Sequence, residues 1–194
     1  MAWATLTVQE KEIFGGHLSL IGCCLFYLIW WWMAFRPGSV PGAARVTGLA
    51  GVLLGITAAC GVVGLVLVVL GIRGGAPGAV LLPGGWIAGG GAVLYLALLA
   101  LTALLLHRPV TTELFLIVGW AVLETAAVST LYGTGALGRG TAIGLLAVVA
   151  AAFAAGMVCY LLYYRLSAWA GFVSGMIPLA VDAVAMAVVA LCMR

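Results

Sequence analysis

Two acidic residues, Glu124 and Asp182, each interrupt a long apolar run. An ionised carboxylate at the centre of a membrane helix costs about 2.5–3.5 kcal/mol on insertion scales, so an acid kept at that depth is a candidate to carry a proton or bind a cation. Glu124 has polar company. Thr125, Ser129 and Tyr132 recur at helical spacing on one adjoining face, while Glu113, Trp120 and Glu124 fall on nearly one stripe with Ile117 between them. That pattern reads as the wall of an aqueous or substrate cavity, or as a polar seam gluing helices together. Asp182 follows Pro178 by four residues. A proline inside a helix removes one backbone donor and frees a carbonyl one turn back, here near Ser174. Gly171 and Gly175 allow close helix approach at the same place. A kink beside a carboxylate suits a cation or proton site, and a purely structural kink is the competing reading.

His17 lies near the start of its apolar run, in register with Glu113 in the second half of the chain. It reads as a satisfied interfacial histidine more readily than as a ligand. His107 stands beside Arg108 in a connector, so the two histidines are separated and no metal site is expected. Cys23, Cys24, Cys60, Cys159 and Cys192 all sit in apolar runs with no C-x-x-C pair, and read as small buried hydrophobes. A Cys23–Cys24 redox pair is weakly motivated. Trp30, Trp31, Trp32, Trp86, Trp169 and the Tyr160, Tyr163, Tyr164 group fall near run ends, as aromatic belts do. Three successive tryptophans point around a whole helix, so one of them could instead line a ligand pocket.

The elements that must position these residues follow from composition. Charged residues are 7% of the 194 and apolar residues 66%. Five acids and eight bases cannot clothe the surface of a soluble domain of this size, whereas lipid removes the need. Backbone groups in lipid must be satisfied internally, which leaves helices or a closed barrel. The apolar runs are continuous rather than alternating, so the expected fold is an all-α integral membrane protein. Six transmembrane helices are predicted at residues 14–35, 49–72, 85–106, 112–132, 141–164 and 168–192, forming one transmembrane domain over residues 1–194. Arg36-Pro37-Gly38, Pro41-Gly42, the Gly/Pro-rich stretch with Pro77 and Pro83, His107-Arg108-Pro109 and Gly138-Arg139-Gly140 punctuate them. Residues Thr7 to Glu10 carry a capping-box pattern, so the first helix could begin near Thr7. Met1 to Gly16 lacks a basic n-region and does not read as a signal peptide. Gly51 and Gly55, and the small residues from Ala151 to Gly156, predict tight helix packing.

The halves 1–108 and 109–194 are weakly self-similar. Arg45-Val46-Thr47 answers Arg139-Gly140-Thr141, and Gly85-Trp86-Ile87-Ala88-Gly89 answers Gly171-Phe172-Val173-Ser174-Gly175. Three spans per half is an odd number, so a true duplication would be a 3+3 inverted-topology repeat, an arrangement common in transporters. In that register Leu28 answers Glu124 and Leu96 answers Asp182, which weights any site to the second half. Lys11, Arg73, Arg139 and Arg194 fall on one side of the membrane, and Arg36, Arg45, Arg108 and Arg165 on the other. This balance gives no orientation by the positive-inside rule and leaves a dual-topology homodimer open.

The expected function is a small membrane transporter or channel for a cation, a proton or a small cationic solute. The alternative is a lipid- or hydrophobic-ligand-binding membrane protein that regulates a partner without transport. An enzyme is disfavoured, because no G-x-S-x-G, H-E-x-x-H or histidine cluster is present. Expected partners are membrane lipids, a small solute or ion and a second copy of the chain. No cofactor is expected, and the dispersed net charge of +3 argues against nucleic acid. The Ala/Gly/Val-rich, lysine-poor composition suggests a bacterial inner membrane.

Overall fold

A computed structural model describes residues 6–38, 48–74, 81–106, 112–163 and 165–193. Arg45, His107, Arg108, Pro109, Tyr164, Arg194, Pro77 and the Pro41-Gly42 turn lie outside the described residues. Among the described residues all regular structure is helical: α1 (Val8–Phe35), α2 (Gly48–Gly74), α3 (Gly84–Leu106), α4 (Thr112–Gly133), α5 (Arg139–Tyr163) and α6 (Ala168–Cys192). All six are long and apolar enough to cross a membrane, which makes this a multi-pass architecture by length and composition.

The first helix begins earlier than the apolar run alone suggests. The Thr7 hydroxyl accepts from the Glu10 backbone N–H at 3.3 Å, and the Glu10 carboxylate accepts from the Thr7 N–H at 2.8 Å. This reciprocal capping box satisfies two orphan donors of the first turn and starts the helix at Val8. At about 1.5 Å per residue, α1 is then about 42 Å long, more than the hydrocarbon core needs.

Each helix runs antiparallel to its neighbour in sequence wherever the two touch. Trp31 of α1 packs on Phe172 near the start of α6, while Cys24 packs near Ala183 and Met186 further along it. Contacts link α1 to α2, α2 to α4, α4 to α5, α5 to α6 and α6 back to α1, so five helices close a ring. The remaining helix, α3, packs on the outside of α4, where the Ser129 hydroxyl exchanges hydrogen bonds with the N–H and carbonyl of Leu82. The α5–α6 pairing is extensive, and α2 and α3 make no comparable contact among the described residues.

The α1–α2 pair is the tightest seam, and glycine makes it so. A Cβ at Gly16 would lie 2.8 Å from the Val68 backbone nitrogen and 2.9 Å from the Gly64 carbonyl oxygen. A Cβ at Gly64 would meet Leu20 Cγ at 2.7 Å. The two backbones therefore touch directly, as small-residue seams in lipid allow. Gly51 and Gly55 do not contribute to such packing. They are exposed on the outer face of α2 with nothing within 4 Å of an added Cβ, because the inward face of α2 is set by Thr57, Gly64, Val68 and Gly71. Gly16→Ala should consequently destabilise the protein in detergent by about 1–3 kcal/mol, since backbone cannot move aside for the new methyl. Gly55→Ala should leave unfolding in mixed SDS micelles unchanged or slightly delayed.

Candidate functional site

Most polar side chains inside the helices satisfy themselves locally. Thr57, Thr102 and Thr130 donate to carbonyls three or four residues back in their own helices, and Thr134, just past α4, donates to the Leu131 carbonyl. Ser19 donates to the Cys60 carbonyl at 2.9 Å, and Ser174 to the Cys159 carbonyl at 3.0 Å. These hydroxyls spend their single proton on interhelical or intrahelical backbone carbonyls.

One contact is of a different kind. His17 of α1 and Glu124 of α4 are both fully buried, and their Nε2 and Oε2 atoms lie 3.0 Å apart. The other ring nitrogen, Nδ1, lies 2.7 Å from the Ile13 carbonyl oxygen. A carbonyl oxygen only accepts, so Nδ1 carries a proton and donates it there. The Nε2–Oε2 bond then needs one further proton between its two atoms. With that proton on nitrogen the pair is imidazolium and carboxylate; with it on oxygen the pair is imidazole and carboxylic acid. Both forms are neutral as a unit. Losing the proton leaves two acceptors facing each other with net charge −1, and gaining a second leaves net charge +1. In a medium where a bare charge is costly, this bond is a store for one proton.

Depth brings further groups to the same level. Counting about 1.5 Å per residue from Val8, Gly133 and Cys192, His17, Glu124 and Asp182 all lie about 13–15 Å from the side where α1 begins. Asp182 is half-buried on α6, beside Ala183, which packs against Cys24 of α1. Trp120 stands one turn before Glu124. Its Nε1 and the Glu124 Oε1 are buried and take no hydrogen bond among the described residues. Apolar packing is densest on the side where α1 begins. There Ile13, Val68, Val128, Leu131, Leu145 and Val189 form one cluster.

The other residues singled out in the sequence fall elsewhere. Glu113 is exposed in the first turn of α4, well away in depth from His17. Ser129 anchors the segment before α3, and Tyr132 packs against the apolar cluster. Thr125 is half-buried and makes no side-chain hydrogen bond among the described residues. Pro178 sits within a continuous α6 and packs near Gly156 of α5. Among the tryptophans, Trp31 faces inward, lying over Gly175 and donating to the Phe172 carbonyl at 3.4 Å. Trp32 is exposed under the Arg36 guanidinium. No group of three or more His, Cys, Asp and Glu side chains suited to a metal ion occurs among the described residues.

The His17–Glu124 partnership is absent from the linear reading. Aligning the halves start to start pairs His17 with Glu113. Yet α1 and α4 run in opposite directions, so equal depth pairs the beginning of one with the end of the other. Depth counted from a common membrane side is the signal that would have found it.

Breaking one side of a buried ion pair strands the other, at a typical cost of about 3–5 kcal/mol. His17→Leu and Glu124→Leu should each lose stability on that scale, and the double variant should lose clearly less than the two combined. Glu124→Gln should be milder, because its amide can donate to Nε2 of a neutral imidazole. Unfolding in mixed SDS micelles across the double-mutant cycle checks all three.

The chain matches no protein-family model, no curated protein and no solved structure, so its own geometry identifies it only as an all-helical protein with six apolar helices of membrane-spanning length.

Proposed function

We propose that this protein is a small membrane transporter in which the His17–Glu124 pair and Asp182 carry a proton in exchange for a cation or a small cationic solute. The observation that carries the reading is the fully buried His17–Glu124 bond, which joins two helices on opposite sides of the five-helix ring. Releasing or adding one proton changes the charge of that bond by one unit. Its two partners would then separate or seek a counter-charge, and Asp182 is the nearby carboxyl that could share it. Once the proton of the His17–Glu124 bond has left, a cation entering the site would be held by the Glu124 and Asp182 carboxylates. The same proposal includes a 3+3 inverted repeat, assembly as a homodimer and residence in a bacterial inner membrane.

A second reading is a binding protein for lipid or another hydrophobic ligand. It draws on the exposed outer face of α3, where Gly85, Gly89 and Gly90 leave a shallow surface beside Trp86 and Val93. Such a surface would hold an acyl chain without any flux.

Proteoliposomes with a trapped pH dye separate the two. Addition of sodium, potassium or tetraethylammonium chloride outside should alkalinise the lumen for at least one of these cations, because a proton leaves in exchange for each cation that enters. Glu124→Gln and Asp182→Asn proteins that elute as folded should lose that response by roughly tenfold or more. An undiminished response in both variants removes the transporter reading. A wild-type protein silent to every probe, with lipid co-purified, favours the second.

A further inference from the structure

The α1–α2 seam carries a second chemical group at its middle. Cys23 of α1 and Cys60 of α2 are free thiols facing each other across it. The placement is reciprocal. A Cβ on Gly61, next to Cys60, would lie 3.2 Å from the Cys23 sulfur, and a Cβ on Gly22, next to Cys23, would lie 3.8 Å from the Cys60 sulfur. Glycine at positions 22 and 61 leaves each sulfur resting on bare partner backbone. A disulfide requires Cα atoms about 4.4–6.8 Å apart, which ordinary helix packing rarely allows and a backbone-to-backbone glycine seam does. Both cysteines are half-buried, and each lies about 18 Å along its helix from the ends Phe35 and Gly48, at hydrocarbon depth.

We propose that Cys23 and Cys60 form an intramembrane dithiol that a lipid-soluble two-electron oxidant of the quinone class closes to a disulfide. Two S–H bonds break and one S–S bond forms. The two electrons and two protons pass to the quinone, which leaves as the hydroquinone. An oxidant confined to water does not reach this depth. The remaining cysteines are placed differently: Cys24 is buried and turned toward Ala183 and Met186, Cys159 lies on α5 and Cys192 on α6. Closing the bond fixes α1, which bears His17, to α2.

The test uses the full chain in liposomes. After treatment with menadione, denatured protein is labelled with a polyethylene-glycol maleimide and mapped by mass spectrometry. The expected result is loss of two of the five thiols and a Cys23–Cys60 linked peptide. The loss should vanish in Cys23→Ser and Cys60→Ser and persist in Cys24→Ser and Cys159→Ser. Oxidised glutathione should leave all five thiols labelled. Five free thiols after menadione, any other pairing, or a bond between Cys23 residues of two copies would overturn the proposal, as would equal oxidation by glutathione disulfide.

Discussion

Hydrocarbon offers no water to a polar group, so every hydrogen bond inside the six helices must be met by the protein itself. Serines and threonines manage this by turning to backbone carbonyls. A carboxylate and an imidazole cannot, because each brings a charge as well as a hydrogen-bonding need. Full burial makes each costly unless it is paired, and the His17–Glu124 bond is that pairing, whereas Asp182 is only half-buried. It joins α1 and α4 across a ring whose other links combine apolar packing, close glycine contacts and neutral hydrogen bonds to backbone carbonyls. The carbonyl of Ile13 fixes which imidazole nitrogen carries its proton, and thereby leaves the remaining nitrogen to share a proton with Glu124.

This bond can exist only because α1 sits where it does. The capping box at Thr7 and Glu10 starts the helix six residues before the apolar run, so that His17 falls more than two turns inside rather than at an entrance. Glycines at 16 and 64 then press α1 onto α2, and Gly175 makes room for Trp31 against α6. These contacts hold α1 on two sides and leave its third face for Glu124. A buried ion pair of this kind seldom adds net stability over apolar packing. Its presence among mostly apolar neighbours is what directs attention to proton chemistry.

Much of the architecture was legible in the residues. Continuous apolar length set the number of helices, and the predicted sixth span, Ala168–Cys192, coincides with α6. The capping pattern marked the true start of α1. Glu124 and Asp182 stood out because an acid within an apolar run is visible from sequence order alone, and the structure buries Glu124 and half-buries Asp182. Partnership was harder. Glu124 and His17 are 107 residues apart, and nothing local to either names the other. Glycine was ambiguous for a related reason. Gly51 and Gly55 have the same spacing as an interface motif but face outward, whereas Gly16 and Gly64, on different helices, make the seam. Which face of a helix is turned inward is decided by all its neighbours together. The side-chain hydroxyls posed the same difficulty: Ser129 shares a helix with Glu124 yet serves the segment before α3.

The most direct measurement is solid-state NMR on protein in lipid, with ¹⁵N in the histidine rings and ¹³C in the glutamate carboxyls. The account predicts a through-space ¹⁵N–¹³C correlation between His17 Nε2 and the Glu124 carboxyl carbon, as expected where the carboxyl oxygen lies 3.0 Å from that nitrogen, together with a directly bonded proton on Nδ1. An Nε2 resonance with no carboxyl correlation, behaving like an imidazole in water, would contradict it.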